Sequence, residues 1–235
     1  MPDRKTVLVT GANRGLGLEF CKQYSQAGWH VIATCRNTAQ AEALYQLGVE
    51  VCPLDTADET QAEALAQHLR DQPIDLLLNN AGIMGDRERS ALDASLGEWT
   101  NAFRINVLGP AIVTRALLPN LKRTVRPLGI TLGSQSGIFG HMTGPELVIY
   151  RTTKAAAHAA TISLGAALEG EGVIYFSLRP GRTATDMTQN AGDYSTEDTV
   201  ALVRQTLEQA SPDWAGKFID RSGRVFPYEG GFEPG

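Results

Sequence analysis

The feature that most constrains the fold is a regular alternation of short apolar segments with amphipathic ones. The first unit runs from the β-branched segment at 6–10, through a glycine-rich turn, into a helical segment. Strands are predicted at 6–10, 29–35, 49–54, 74–78, 129–133 and 173–178, and helices at 18–27, 38–47, 58–70, 97–122, 146–169 and 196–209. Because the apolar segments are continuous, the pattern predicts a doubly wound parallel sheet covered on both faces.

The rest of the chain fits one domain. An edge strand is predicted at 216–220, which gives a Rossmann-type α/β fold with a sheet of about seven mostly parallel strands and helices on both faces. The segment 182–195 is polar and irregular, and 230–235 is predicted to be a loose tail. Neither a linker nor a repeat beyond the βα unit interrupts the 235 residues, so a single domain over 1–235 is expected.

Composition excludes several classes of partner. A net charge of −5 without a basic stripe argues against nucleic acid, and no apolar run reaches the roughly 20 residues of a membrane span. Strand-like sequence begins at Lys5, which leaves no room for a signal peptide, so we expect a cytoplasmic protein. The chain's three cysteines and the histidines at 30, 68 and 158 show no metal-ligand spacing, and no metal is expected.

The turn after the first strand contains Gly11, Gly15 and Gly17. A glycine turn that opens a helix directs main-chain N–H groups and the positive end of the helix dipole at a bound anion, usually a phosphate. The spacing differs from the common G-x-G-x-x-G dinucleotide motif, so a plain turn is the alternative. The position of the turn, after the first strand of a βαβ unit, favours phosphate binding.

The end of the second strand indicates which dinucleotide binds. Arg36 stands there, without an acidic residue between 29 and 40 to accept a ribose 2′-hydroxyl. A guanidinium matches a 2′-phosphate, and Arg14 in the glycine turn is placed to approach the same group. NADP(H) is therefore favoured over NAD. The alternative is that both arginines are solvated.

Tyr150 and Lys154 lie four positions apart in a predicted helix, so they share one face about one turn apart. A cation beside a phenol favours the phenolate and lowers the pKa of the tyrosine, which makes it a proton donor or acceptor near neutrality. By itself the pair is also typical of an ordinary surface helix.

Taken together, the motifs resemble the short-chain dehydrogenase/reductase family over nearly the whole chain. The matching motifs are Thr10-Gly11-x-x-x-Gly15-x-Gly17, Asn79-Asn80-Ala81-Gly82, Asn106, Ser134, Tyr150-x-x-x-Lys154 and Pro180-Gly181. A narrower similarity to sniffer/C-factor-like carbonyl reductases rests on Ala33-Thr34-Cys35-Arg36, Asn106-Val107-x-Gly109-Pro110, Thr185-Asp186-Met187 and Gly216-Lys217-Phe218-Ile219-Asp220.

The resemblance implies a role for each matching residue. Tyr150 would be the general acid in carbonyl reduction, Lys154 would lower its pKa and bind the nicotinamide ribose, and Ser134 would hydrogen-bond the substrate oxygen. Asn106 would hold a water that links Lys154 to solvent. Cofactor contacts are expected from Gly11, Asn13, Arg14, Gly15, Leu16, Gly17, Arg36, Asp55 (adenine), Asn80 (ribose), Ala81, Gly82, Tyr150, Lys154, Pro180, Gly181, Thr183 and Thr185 (carboxamide).

Two positions depart from the family pattern. The serine is usually thirteen residues before the tyrosine, whereas Ser134 lies sixteen before it and Ser136 fourteen. We assign Ser134, because it ends a strand and fits Ser-x-x-Gly with Gly137, and Ser136 is the alternative. Arg182 stands where the carbonyl reductases more often have an apolar residue, and it either faces solvent or contacts the diphosphate or an acidic substrate.

The sequence leaves two candidate functions. The first is NADPH-dependent reduction of a small carbonyl compound, a ketone, aldehyde or quinone, with candidate substrate contacts at Ser136, His141, Met142 and Met187. The second is an NADP-binding sensor or signalling protein with vestigial catalysis, which the complete set of four catalytic residues argues against. A homodimer or homotetramer is expected from the habit of the family.

Overall fold

The computed structural model describes residues 4–228, so the predicted loose tail at 230–235 lies outside the described residues. A single sheet forms the centre of the molecule, in the order β3-β2-β1-β4-β5-β6-β7-β8. Its strands are β1 (Thr6–Thr10), β2 (His30–Cys35), β3 (Glu50–Pro53), β4 (Leu76–Asn79), β5 (Leu128–Leu132), β6 (Ile174–Arg179), β7 (Phe218–Asp220) and β8 (Val225–Phe226).

The first seven strands are mutually parallel, and the predicted fold class is confirmed. The eighth, which the sequence did not predict, pairs antiparallel with β7. A tight turn forms it: the Asp220 carboxylate accepts the main-chain N–H groups of Ser222 (2.8 Å) and Arg224 (3.1 Å). A strand of two residues is too short to leave a periodic signal in the sequence.

Seven α-helices connect these strands within residues 4–228. They are α1 (Gly15–Gln26), α2 (Glu42–Gln46), α3 (Glu59–His68), α4 (Leu96–Phe103), α5 (Gly109–Leu121), α6 (Val148–Glu169) and α7 (Thr196–Glu208). A π-helical turn, Arg104–Leu108, joins α4 to α5 where one long or broken helix was predicted. Pro110 has no N–H, so the main-chain carbonyl of Asn106, four residues earlier, lacks its usual α-helical donor.

The helices cover the two faces of the sheet. On one face α1, α2 and α7 pack against the odd-numbered residues of β1, and the buried side chains include Phe20, Leu44 and Val203. On the other face α3, α5 and α6 pack around Leu8, Leu77 and Leu117. The inner strands β1, β4 and β5 are therefore buried on both faces, which explains their largely apolar sequences. No helix among the described residues is both long and apolar enough to cross a membrane.

Three of the seven α-helix starts are capped by a side chain. The side chains of Asp58, Ser95 and Ser195 accept main-chain N–H groups at the starts of α3, α4 and α7. Helix α1 is among the uncapped ones: its N-cap residue Arg14 makes no capping hydrogen bond, and its first turn carries no acidic residue. The N–H groups at the start of α1 are therefore left for another partner.

Gly165 in α6 provides a test of the packing. A Cβ atom there would lie 2.2 Å from the Gly216 nitrogen, whereas a Cβ at Gly170 would have nothing within 4 Å. We expect Gly165→Ala to lower the free energy of unfolding by about 1–3 kcal/mol, as overpacking does. The control Gly170→Ala should change it by less than about 1 kcal/mol. Urea unfolding measures both, and equal effects would contradict this packing.

Candidate active site

A cleft opens at the carboxyl ends of the parallel strands, between β1 and β4. At this point the strand order reverses direction, which is where open α/β sheets bind ligands. Every residue predicted to contact the cofactor lines the cleft, except Gly17. Further lining residues, to which the sequence analysis assigned no role, are Cys35, Leu54, Thr56, Ile83, Met84, Ile105, Leu132, Gly133, Asp186 and Thr188. Their only signal was a position at a strand end or beside one of the family motifs.

The glycine turn has the geometry that its sequence predicts. Gly11 and Gly15 adopt φ values of +62° and +54°, a region that side chains disfavour. A Cβ on Gly17 would lie 2.5 Å from the carbonyl oxygen of Gly11, so Gly17 serves close packing rather than lining the cleft. With the uncapped start of α1 facing this turn, the main chain offers free donors that fit a phosphate.

Asn80 holds the glycine turn in place. Its side-chain NH₂ donates to the carbonyls of Thr10 (2.7 Å) and Gly11 (3.0 Å), while the Thr10 hydroxyl accepts the N–H groups of Asn80 and Ala81 (both 3.0 Å). The side-chain NH₂ is therefore committed to the main chain, and the expected contact of Asn80 with the ribose stays a prediction. Asn80 still lines the cleft, and its main contribution is to join β4 to the turn after β1.

The predicted adenosine end of the cleft carries both charged residues expected there. Arg36 is exposed and lines the cleft, as does Asp55, whose carboxylate accepts the N–H of Ala57 at 3.0 Å. The guanidinium of Arg14 lies 3.8 Å from the Asp186 carboxylate, and both side chains are 67% exposed. Both arginines line the cleft, and their contact with a 2′-phosphate stays a prediction.

Tyr150 and Lys154 lie on the buried face of α6, towards the cleft. The Lys154 Nζ is 5.7 Å from the centre of the Tyr150 ring and donates to the Leu132 carbonyl at 2.7 Å. Burial lowers the pKa of Lys154 to about 8. Burial also raises the pKa of Tyr150, and a hydrogen bond with Ser134 offsets part of this rise. The expectation that Lys154 lowers the phenol pKa is therefore not met in the structure, where desolvation dominates.

Ser134 follows β5 and lies beside the tyrosine. Its hydroxyl oxygen accepts the N–H of Ser136 at 3.1 Å, which leaves the hydroxyl proton for a second partner such as Tyr150 or a substrate oxygen. Neither serine is among the residues that line the cleft, but Ser134 hydrogen-bonds Tyr150. The geometry thus favours Ser134 over Ser136, although the extra residues between Ser134 and Tyr150 lengthen the intervening loop.

The buried Asn106 side chain is fully engaged by the protein. Its NH₂ donates to the Ile83 carbonyl (2.8 Å) and the Thr153 hydroxyl (3.0 Å), and its Oδ1 accepts the Ile83 N–H (2.8 Å). These bonds clamp the segment after β4 against α6. The side chain is thus a structural clamp. The water expected at Asn106 stays a prediction, with the main-chain carbonyl, whose α-helical donor is missing at Pro110, as its candidate acceptor.

His158 is the residue that sequence reasoning missed. It is buried on α6, four residues after Lys154 and eight after Tyr150, and so on the same face. Its Nε2 lies 2.9 Å from the Ser134 carbonyl, which can only accept, so Nε2 donates and Nδ1 accepts from the Ser177 hydroxyl at 3.2 Å. The ring thereby fixes Ser134 relative to the helix that carries Tyr150. Its helical spacing was the available signal.

The remaining predicted residues divide between the cleft and the surface. Thr185 lines the cleft, and its methyl group would lie 3.7 Å from a Cβ on Gly15. Thr183 also lines it, but its hydroxyl contacts Thr199 at 3.1 Å. Arg182 is exposed and lies 3.9 Å from Asp193, which matches the solvent-facing alternative. Of the candidate substrate contacts, Met187 lines the cleft, whereas Ser136, His141 and Met142 do not.

Comparisons with known proteins agree with these motifs. The sequence model of the family described as short chain dehydrogenase matches residues 5–195. The chain is 31% identical to sulfoacetaldehyde reductase 2 of Chromohalobacter salexigens over 218 residues, which cover 89% of this chain and 84% of the relative.

Solved structures show the same likeness. NADPH-bound carbonyl reductase from chicken fatty liver superposes with a TM-score of 0.87 at 26% identity, over 95% of this chain and 98% of that one. The carbonyl reductase Sniffer of D. melanogaster superposes with a TM-score of 0.85 at 26% identity, over 94% of this chain and 98% of that one. The resemblance drawn from the motifs is confirmed.

The buried His158 predicts a pH-dependent stability. Burial lowers its pKa from 6.5 to about 4. Between these values the unfolded chain binds a proton that the folded protein does not, so the free energy of unfolding falls as the pH drops from 6.5 to 4, by about 3 kcal/mol. Urea unfolding at both pH values should show this loss in the native protein and a smaller one in His158→Gln.

The exposed His141 offers a matched control for this measurement. The variant His141→Gln should retain the pH dependence of the native protein. An unchanged pH dependence in His158→Gln would contradict the assignment of His158 as a neutral, buried anchor.

Proposed function

The chain belongs to the short-chain dehydrogenase family, and on this premise we propose that it is an NADPH-dependent reductase that converts a carbonyl compound into an alcohol. The observation that carries the proposal is that Tyr150 and Lys154 line a cleft whose other end has a phosphate-type turn, while Ser134 hydrogen-bonds Tyr150. When bound, the reduced nicotinamide supplies a hydride. The protein supplies the proton and the orientation.

Tyr150 is the proton donor in this proposal. Because burial raises its pKa, the phenol stays protonated at neutral pH and can deliver its proton as the carbonyl oxygen becomes an alkoxide. The Ser134 hydroxyl donates a hydrogen bond to the same oxygen. The N–H of Ser136 holds this hydroxyl, and His158 holds the main-chain carbonyl of Ser134. Both groups stabilise the charge that develops in the transition state.

Lys154 restores the proton that Tyr150 gives up. With a pKa near 8 it is mostly protonated at pH 7, yet it releases a proton more readily than an exposed lysine. Once Tyr150 becomes a phenolate, its negative charge is balanced by this ammonium. Because the Asn106 side chain is engaged, we assign the water leading to solvent to its main-chain carbonyl, whose α-helical donor is missing at Pro110.

The cofactor would be held along the cleft by groups already described. The start of α1 and the glycine turn fit the diphosphate, and Lys154 fits the nicotinamide ribose. Arg36 fits the 2′-phosphate that distinguishes NADPH from NADH. Asp55 and Thr185 are assigned to the adenine and carboxamide ends.

The substrate class is a ketone, aldehyde or quinone of small size. Met187 and the apolar Met84 line the cleft and are the contacts that we assign to the substrate. A cytoplasmic location and a homodimer or homotetramer remain predictions.

The rival function is an NADP-binding sensor with vestigial catalysis. Oxidation of NADPH by the purified protein, followed by its absorbance with a panel of aldehydes, ketones and quinones, separates the two. Turnover of at least one class supports the reductase. Tight NADPH binding with no oxidation across the panel would favour the sensor.

Removal of the proton donor is the first test of the chemistry. We expect Tyr150→Phe to bind NADPH as the native protein does but to lose about 10²–10⁴-fold in kcat, the usual contribution of a general acid. The exposed Tyr45 provides the control, and Tyr45→Phe should keep native turnover. Native turnover in Tyr150→Phe would contradict the role assigned to the phenol.

Cofactor preference tests the role of Arg36. We expect Arg36→Asp to lose its preference for NADPH, because the new carboxylate repels a 2′-phosphate and accepts the 2′-hydroxyl of NADH. The readout is the ratio of kcat/KM for the two cofactors. Arg182→Asp, which reverses a surface charge outside the cleft, serves as the control and should keep the native ratio. An unchanged ratio in Arg36→Asp would place the 2′-phosphate elsewhere.

A further inference from the structure

A second cluster of chemically reactive side chains lies at the opposite end of the sheet. Glu50 and Cys52 are two residues apart on β3, so both point to the face covered by α3, and His68 is the last residue of α3. Sequence spacing predicted no metal site, because His68 has no cysteine or carboxylate ligand at the usual separation. The fold brings these residues together through space.

The three side chains offer ligand atoms at short range. The Cys52 sulfur, a Glu50 carboxylate oxygen and a His68 ring nitrogen all lie within 4.8 Å of one another. His68 Nε2 is 3.4 Å from Glu50 Oε1, and Cys52 Sγ is 3.8 Å from the same oxygen. Atoms that share a tetrahedral zinc ion at 2.0–2.3 Å are separated by roughly 3.3–3.8 Å, so small side-chain rotations suffice.

A fourth side chain supports the carboxylate from the other side. His30, the first residue of β2, places its Nε2 3.1 Å from Glu50 Oε2. Metal-ligating carboxylates are commonly held by such an outer hydrogen bond. Exposure increases from the buried Cys52 through Glu50 (33%) to His68 (64%), so the thiol forms the floor of a site that solvent ions can reach.

We infer that Cys52, Glu50 and His68 form a binding site for Zn²⁺, with one coordination position left to water and His30 orienting the carboxylate. Thiolate, imidazole and carboxylate together match zinc, whereas Mg²⁺ and Ca²⁺ prefer oxygen ligands alone. Binding converts the Cys52 thiol into a zinc-bound thiolate and releases one proton to solvent. No electron transfer is involved.

This site is separate from the reductase chemistry. Glu50 begins β3 and His30 begins β2, so the cluster lies at the amino ends of strands whose carboxyl ends border the cleft. The metal would connect β3, at the edge of the sheet, to the end of α3. Its role is therefore to stabilise this edge, and a metal bound only by the folded protein raises the unfolding temperature.

Cobalt(II) is the probe for this inference. Purified protein is treated with EDTA, desalted and titrated with Co²⁺ while the near-ultraviolet sulfur-to-cobalt absorption is recorded, and Zn²⁺ is then added as competitor. We expect one equivalent of Co²⁺ to give the absorption and Zn²⁺ to abolish it. The absence of this absorption in the native protein would overturn the inference.

Variants locate the site. Cys52→Ser should lose the absorption, whereas Cys21→Ser, which alters another buried thiol, should keep it. His68→Gln changes an exposed side chain and should weaken Co²⁺ binding by more than about tenfold. His30→Gln, which removes only the outer hydrogen bond, should weaken it by about tenfold. An absorption that survives Cys52→Ser, or native affinity in His68→Gln, would contradict the assignment. The result of the Co²⁺ titration does not depend on whether the protein oxidises NADPH.

Discussion

The close contact between the turn after β1 and the segment after β4 is the constraint on which the rest of the site depends. A Cβ on Gly11 would lie 2.9 Å from the Cα of Ala81, so the two segments meet main chain to main chain. Asn80 and the Thr10 hydroxyl fix this contact with four hydrogen bonds. The contact sets the walls of the cleft and directs the start of α1, with its unused N–H groups, into it.

A second constraint aligns the reacting groups. Tyr150, Lys154 and His158 follow one another at intervals of four residues on the buried face of α6. His158 ties that face to the Ser134 carbonyl, and Lys154 ties it to the Leu132 carbonyl, at the end of the same strand, β5. The helix and the strand end are thus joined at two points, and Ser134 and Tyr150 keep a fixed separation despite the longer loop between them.

The sequence was sufficient for the parts of the structure that local pattern controls. Continuous apolar strands and a glycine turn predict a doubly wound sheet and a phosphate site, and the matching motifs predict the residues of the cleft. Contacts between distant segments were not predictable, because they depend on packing: Asn106 clamps Ile83, and Glu50 meets His68. The burial of the phenol, which raises its pKa, was likewise not predictable from the spacing of Tyr150 and Lys154.

The central claim is that this cleft transfers a hydride to a carbonyl carbon while Tyr150 supplies the proton. The most direct measurement uses NADPH deuterated at the transferable position of the nicotinamide, with a carbonyl substrate found by the panel, in ordinary water. Mass spectrometry of the product should locate one deuterium on the former carbonyl carbon and none on its oxygen. Product without deuterium at that carbon, or NADPH oxidation without alcohol formation, would contradict the account.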